Sequence, residues 1–393
     1  MLSRSGSEIK LEERFVFMRN RKWMIVAAAA LIAIMAAACG SNGKSQESSL
    51  VETIPVDERV SQESSESAAT EAKTEEASTG DTIPEGMYAS ELTGLPVSED
   101  IKDQRPIAVM IDNDKRALPH YGLSEADIVY ELMNSTANNR ITRLMAMYKD
   151  WGKIEKVGSI RSVRPTNILL AQEWDAVICH DGGPFYINDY LSRYGIHFSG
   201  TFSRVNNGKP REFTEFILPG DLDKNFKNSS YSTTYDDRKQ SGDHFNFTQY
   251  GTEVDLDGQD NVIAANNVKL PFANTTPELK YNQDTKTYDY YEFGDLSKDG
   301  GDGNTVSFKN LFVLSCDFHQ YDDNGYLIYN VIKEGGQGFY VTNGKAVPIS
   351  YSKTSEGGIT QYFGADGNPI EINNGKTYIT YVPDDSWSKL TIN

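Results

Sequence analysis

Trp23 to Ala38 reads WMIVAAAALIAIMAAA, sixteen apolar residues without a charge, preceded by Arg19, Arg21 and Lys22 and followed at once by Cys39. No other segment constrains the chain so strongly. A helix that crosses a bilayer needs about 20 predominantly apolar residues, and this run is shorter, rich in alanine and closed by small residues, which is the layout of a secretory signal peptide. The signal peptide is expected over residues 1–38, so that whatever folds does so outside the cytoplasm. Residues 1–17 place three glutamates ahead of the basic segment, which a signal peptide does not do; Met18 is the expected start.

Met35-Ala36-Ala37-Ala38-Cys39 is similar to the bacterial lipobox, whose cysteine becomes a diacylated N-terminus, with Ala36 at the position where leucine is usual. Cys39 is therefore the expected lipidation site, carrying diacylglycerol and a palmitate-type acyl chain. Two chains suffice for stable anchoring where one does not. The bilayer is thus the first expected partner, and the cell membrane, on its extracytoplasmic face, the expected location. From Gly40 to Pro84 the chain carries ten acidic and three basic residues and no aromatic. It cannot bury enough apolar surface to offset ordering, so residues 39–87 read as an acidic Ser/Glu/Thr tether. A flexible coil of that length spans on the order of 35–40 Å. The whole chain carries 38 basic against 56 acidic residues, a net charge of −18. That removes the long-range attraction on which nucleic-acid binding depends, so no nucleic-acid partner is expected and an anionic wall polymer has to be met by a local basic patch.

The remainder has two textures, and α+β is the expected class. Residues 88–240 read as an α/β domain. Strands are predicted over Pro106 to Ile111, Ile141 to Tyr148, Val157 to Ile160 and Asp175 to Cys179. Helices are predicted from Ser124 through Leu132, from Pro165 and from Ile187 to Tyr194. Residues 260–393 read as a mostly antiparallel β domain. Asn343-Gly344 between Gly338–Thr342 and Ala346–Tyr351 is its strongest hairpin signal. Leu311 to Ser315 and Tyr326 to Val331 are expected to pair across Asp323-Asn324-Gly325. A polar stretch near 225–259 separates the two. Cys179 and Cys316 remain after Cys39, without the paired spacing of a zinc site, and read as buried structural thiols.

Ligands in α/β sheets collect beyond the carboxyl ends of strands. Three groups fall there: Asp112 with Asn113, Arg161 with Ser162 and Arg164, and His180 with Asp181, Gly182 and Gly183. Two arginines just ahead of a predicted helix start make an anion site, since free N–H groups and the helix dipole act beside them. The alternative is an ion-pair network that only holds the sheet edge. His180 and Asp181 are the candidate acid–base groups, flanked by glycines that let a substrate approach; neighbouring residues on a strand point to opposite faces, so they need not act together. No phosphate-binding loop, nucleophile elbow, HExxH or dinucleotide fingerprint occurs, and no cofactor or metal is expected. Asp295 to Asn304 has oxygen ligands among glycines but no spaced acidic ladder, and reads as a plain loop.

TGLPVSEDIKDQRPIAVMIDN from Thr93, GLSEADIVYEL from Gly122, VGSIRSVRP from Val157, DAVICHDGGP from Asp175, KNLFVLSCDF from Lys309 and GGQGFYVTNGKAVPISYSK from Gly335 together resemble the YerB-like bacterial lipoproteins. That family is defined by paired N- and C-terminal domains of unknown function. The resemblance implies an extracytoplasmic lipoprotein with an α/β and a β-rich domain, and no established reaction. Met133 to Arg140 and Arg211 to Phe216 depart from the family's usual acidic-Gly-Gly turn and arginine- and His-bearing segment. Two functions stay open: binding of an anionic envelope component or partner protein at the Arg161/Arg164 corner, or an envelope hydrolase or transferase using His180 or Asp181 with an arginine clamp. A solute-capturing lobe pair is disfavoured by the unlike halves.

Overall fold

The computed structural model describes residues 81–393 apart from 238, 240 and 241. The signal peptide, Cys39 and the tether up to residue 80 lie outside the described residues. No helix among those described is long and apolar enough to cross a membrane.

An eleven-stranded sheet forms the centre of the body. In chain order its strands are β1 Ile107–Asp112, β2 Ile128–Met133, β3 Thr142–Tyr148, β4 Val177–His180, β5 His197–Ser199, β6 Ile263–Ala264, β7 Asn310–Cys316, β8 Lys333–Thr342, β9 Lys345–Lys353, β10 Gln361–Phe363 and β11 Thr377–Pro383. Across the sheet the order runs β6, β9, β8, β7, β11, β2, β3, β1, β4, β5, with β10 on β9. The first and second halves of the chain meet inside it. β11 is parallel to β7 on one side and to β2 on the other, with Thr377 opposite Ile128. The second half is therefore not simply antiparallel, and the strands on either side of the polar stretch share one sheet.

β1, β2 and β3 are buried at every residue, because both faces of the sheet are covered. Tyr130 points to one face, where its hydroxyl meets Trp174 just after helix α1 (Pro165–Gln172). Glu131 points to the other, where Tyr290 of the strand Thr287–Glu292 reaches it. This corrects the helix expected from Ser124 through Leu132. Only Leu123–Glu125 forms a short 3-10 turn, and Ile128, Val129 and Leu132 lie in β2. A strand covered on both faces shows a continuous apolar run, not an alternation, and such a run is easily read as helix.

Helix α1 starts at Pro165, where a missing N–H costs nothing, and the Arg164 N–H donates to Asn167 Oδ1 at 3.2 Å. Helix α2 (Ile187–Tyr194) and helix α3 (Asp221–Lys227) complete the α-helices among the described residues. The turn at Asn343-Gly344 joins β8 to β9 with both residues at positive φ, as a two-residue hairpin requires. The turn at Asp323-Asn324-Gly325 joins Leu327–Tyr329 to Phe318–Gln320, not to the strand through Leu311. In Thr287–Glu292 alternate residues Tyr288, Tyr290 and Glu292 are buried, the pattern of a sheet with one covered face. Cys179 and Cys316 are buried free thiols.

Candidate functional site

Asp112 ends β1 and lies opposite Arg143 at the start of β3. The chain leading to α1 runs alongside, with the Arg161 N–H donating to Met110 O at 2.9 Å. Buried Asp112 thereby receives two guanidiniums: Arg161 Nε at 2.7 Å and Arg143 Nη2 at 3.8 Å. Arg161 also reaches Glu212 at 3.2 Å. Arg164, at the start of α1, is 94% buried and has no carboxylate within ion-pair reach among the described residues. Its Nη1 donates to Val163 O at 2.9 Å and its plane lies 4.0 Å over the Tyr326 ring. The Nε atoms of Arg143 and Arg164 are buried without a partner. Burial lowers the pKa of both groups, Arg164 to about 10 with help from the neighbouring Arg143 charge. Guanidiniums keep their proton at neutral pH, so burial of these two carries a cost in desolvation.

These side chains line a cleft of about 440 Å³. Its wall carries Arg116, Arg143, Arg161 and Arg164 against Asp112, Asp114 and Glu212, a local positive excess on an acidic protein. Arg116 is taken up by Asp114 through two bonds of 2.8 and 3.0 Å. The remainder of the wall is largely neutral and polar, with Asn134, Ser135 and Asn138 from the β2–β3 loop and Asn324 and Tyr326 from a turn of the second half. Ser162 lines the cleft too, but its hydroxyl proton goes to Asp181 O at 2.9 Å, which leaves the oxygen only as an acceptor.

The other expected site residues lie elsewhere. His180 Nδ1 donates to Gly182 O at 2.8 Å, so its Nε2 accepts from His197 Nδ1 at 3.1 Å. Burial pushes its pKa down to about 4, and the ring is neutral over the physiological range. Asp181 leaves the strand end in another direction and pairs with Arg204 at 2.7 Å, which also holds Glu215. Burial and then Asp181 push Glu215 up to about 7, while Arg204 outweighs burial at Asp181 and lowers it. His180 and Asp181 thus form no pair with each other. Gly182, with φ of 72°, and Gly183 turn the chain against Val163; a Cβ on Gly183 would meet Ile187 at 2.3 Å. Their role is to seat the arginine segment. Asn113 points away from the cleft and donates to Glu131 at 3.1 Å and Thr142 at 2.8 Å.

Glu131, which the sequence offers as a possible partner for Arg161 or Arg164, is a second buried charge and meets neither arginine. Its Oε1 accepts from Asn113, Thr142 and Thr275, and its Oε2 from Tyr290 at 2.9 Å and Tyr378 at 2.6 Å. Burial raises its pKa, and the hydroxyl donors pull it back. Arg143 and Glu131 could have been found as the lone charges inside the apolar runs ITRLMAMY and IVYELM, since such residues are almost never buried without a purpose. Among the described residues no cluster of three or more His, Cys, Asp or Glu is placed to hold a metal ion.

The model of the protein of unknown function (DUF3048) N-terminal domain matches residues 92–232, and that of the DUF3048 C-terminal domain residues 267–379. A relative from Bacillus subtilis (strain 168), named "Putative lipoprotein YerB", is 28% identical over 310 residues, 75% of this chain and 86% of its own length. The crystal structure of the YerB protein from Bacillus subtilis has the same fold, with a TM-score of 0.64 and 23% identity over 77% of this chain and 99% of that one.

Proposed function

Because the chain belongs to the YerB-like family of paired DUF3048 domains, we propose that it is a lipoprotein held by acylated Cys39 at the outer face of the cell membrane. Its body binds an anionic envelope component, a cell-wall polymer or an acidic face of an envelope protein, in the Arg143/Arg161/Arg164 cleft. The observation that carries this reading is Arg164, a buried guanidinium beside a cavity with no carboxylate of its own. An anion there gains charge-assisted, bidentate bonds and returns the solvation that burial took away. Binding is favoured over turnover: His180 and Asp181 lie outside the cleft, and Asp112 is shared by two guanidiniums.

Two measurements test the proposal. Incorporation of labelled palmitate, lost in Cys39→Ala, checks the anchor. Co-sedimentation of the detergent-solubilised full-length protein with purified cell-wall material checks the cleft. Retention lost in Arg164→Met is the expected result; equal retention of both proteins sinks the anion reading, and release of defined wall fragments makes the protein an enzyme.

A further inference from the structure

We propose that the ligand of the arginine cleft is a polyhydroxylated anion, a sugar or polyol carrying a phosphate or carboxylate group, and not a bare anion or an acidic peptide. The proposal rests on the reading of the cleft as an anion site and specifies what the remainder of that site recognises. A water occupies roughly 30 Å³ in the liquid, so a cleft of about 440 Å³ leaves most of its volume empty around one oxyanion, and it falls in the ~300–1,000 Å³ range of small-molecule sites.

An anionic group offers acceptors only, and the unpartnered Nε–H groups of Arg143 and Arg164 call for acceptors. Asn134 is 95% buried on the same wall with its Oδ1 unpartnered, and that atom calls for a donor. Leaving any of these unpaired carries a desolvation cost, so a ligand that satisfies them all needs hydroxyl donors close to its charge. Asn138 and Asn324 extend the neutral polar wall. Little apolar surface is present for an acyl chain or an apolar side chain.

The turn that brings Asn324 and Tyr326 into the cleft also carries Tyr321, whose ring stacks on Tyr186 at 4.6 Å and whose hydroxyl meets that of Tyr190 at 3.1 Å. The Tyr190 and Tyr321 hydroxyls are exposed, while that of Tyr186 is buried without a partner, and aromatic rings with such polar tips suit the apolar faces and hydroxyls of a sugar that extends from the cleft.

The test is calorimetric titration of the detergent-solubilised full-length protein with inorganic phosphate, glucose 1-phosphate, glucuronate, glucose and a phosphoserine peptide. Glucose 1-phosphate or glucuronate is expected to bind at least tenfold tighter than phosphate, and which of the two is the tighter assigns the anionic group. Arg164→Met is expected to weaken both by about 10–100-fold. Asn324→Ala, at an exposed position where folding is not at stake, and Asn134→Ala are each expected to lower the affinity for the sugar anion more than that for phosphate, bringing the two together. Equal affinity for phosphate and the sugar anions, lost in Arg164→Met, would overturn the polyhydroxy specificity and keep the anion site. Tighter binding of the phosphoserine peptide would overturn it in favour of a protein partner. Absence of binding by every anion would overturn the anion site and this inference together.

Discussion

Glu131 and Arg143 occupy adjacent strands one register step apart, Glu131 opposite Leu144 and Arg143 opposite Leu132, and both are buried. Their surroundings treat charge in opposite ways. Five donors converge on Glu131, two from the first half of the chain and three from the second. Nothing is left for a ligand to satisfy, and the cage ties the halves together. Arg143 shares Asp112 with Arg161, leaves its Nε unpaired and faces a cleft with Arg164. A saturated buried charge is part of the structure; a buried charge left short of partners beside a cavity is a place for something else to bind.

The largest expected effect falls on the saturated charge. Glu131→Ala strands the Tyr290 and Tyr378 hydroxyls in the interior and is expected to cost about 3–5 kcal/mol in urea unfolding. A loss below about 1 kcal/mol would break the contrast, since the cage would then add nothing. His180 comes next and tests where the cleft ends. Its folded pKa lies near 4, below the unfolded value of 6.5. As pH falls through that window the unfolded chain takes up a proton that the folded one refuses, so stability present above pH 6.5 is lost toward pH 4, on the order of 2–3 kcal/mol. His180→Gln is expected to lack that part of the acid sensitivity and to bind anions unchanged; weakened binding would place the ring in the site.

Arg164→Met is expected to weaken anion binding by about 10–100-fold, the worth of one charge-assisted pair. Urea unfolding of this variant should stay within about 1 kcal/mol of the parent or shift upward, because a buried group without an acidic partner is removed. A loss of several kcal/mol would put Arg164 in the same class as Glu131. The smallest effect is expected at Glu212, a half-exposed carboxylate that competes for Arg161. Glu212→Gln frees that guanidinium and is expected to raise anion affinity by roughly 2–5-fold, in keeping with ~0.2–1 kcal/mol for an exposed pair.

The corner formed by Asp112, Arg161, Ser162 and Arg164 was legible because each residue sits next to a strand end or a helix start, and such ends are marked locally by Pro165 and by the apolar runs. Arg143 was not nominated, because what makes it part of the cleft is its position opposite Asp112 in an antiparallel pair. His180 and Asp181 illustrate the opposite error. They follow the same strand-end rule, yet their side chains leave toward His197 and Arg204, and chain order does not reveal the direction in which a strand end turns. Ile128 to Met133 was misread for a related reason, since the cover on its second face comes from residues more than 140 positions away.

By itself the sequence determined the apolar run before Cys39, the acidic and aromatic-free composition of the segment after it, the hairpin at Asn343-Gly344, the start of α1 at Pro165 and the family. All of these are written in short stretches, where turn residues, caps and composition act over a few bonds. Only the tertiary structure decided that β11 enters between β7 and β2, that Glu131 is closed in by hydroxyls from both halves, and that Arg143 and Arg161 share Asp112 in a cleft where Arg164 has no carboxylate of its own. Those outcomes depend on pairings across as many as 249 positions, as between Thr377 and Ile128. They are selected by burial and by the need to satisfy polar groups simultaneously, neither of which a local pattern encodes.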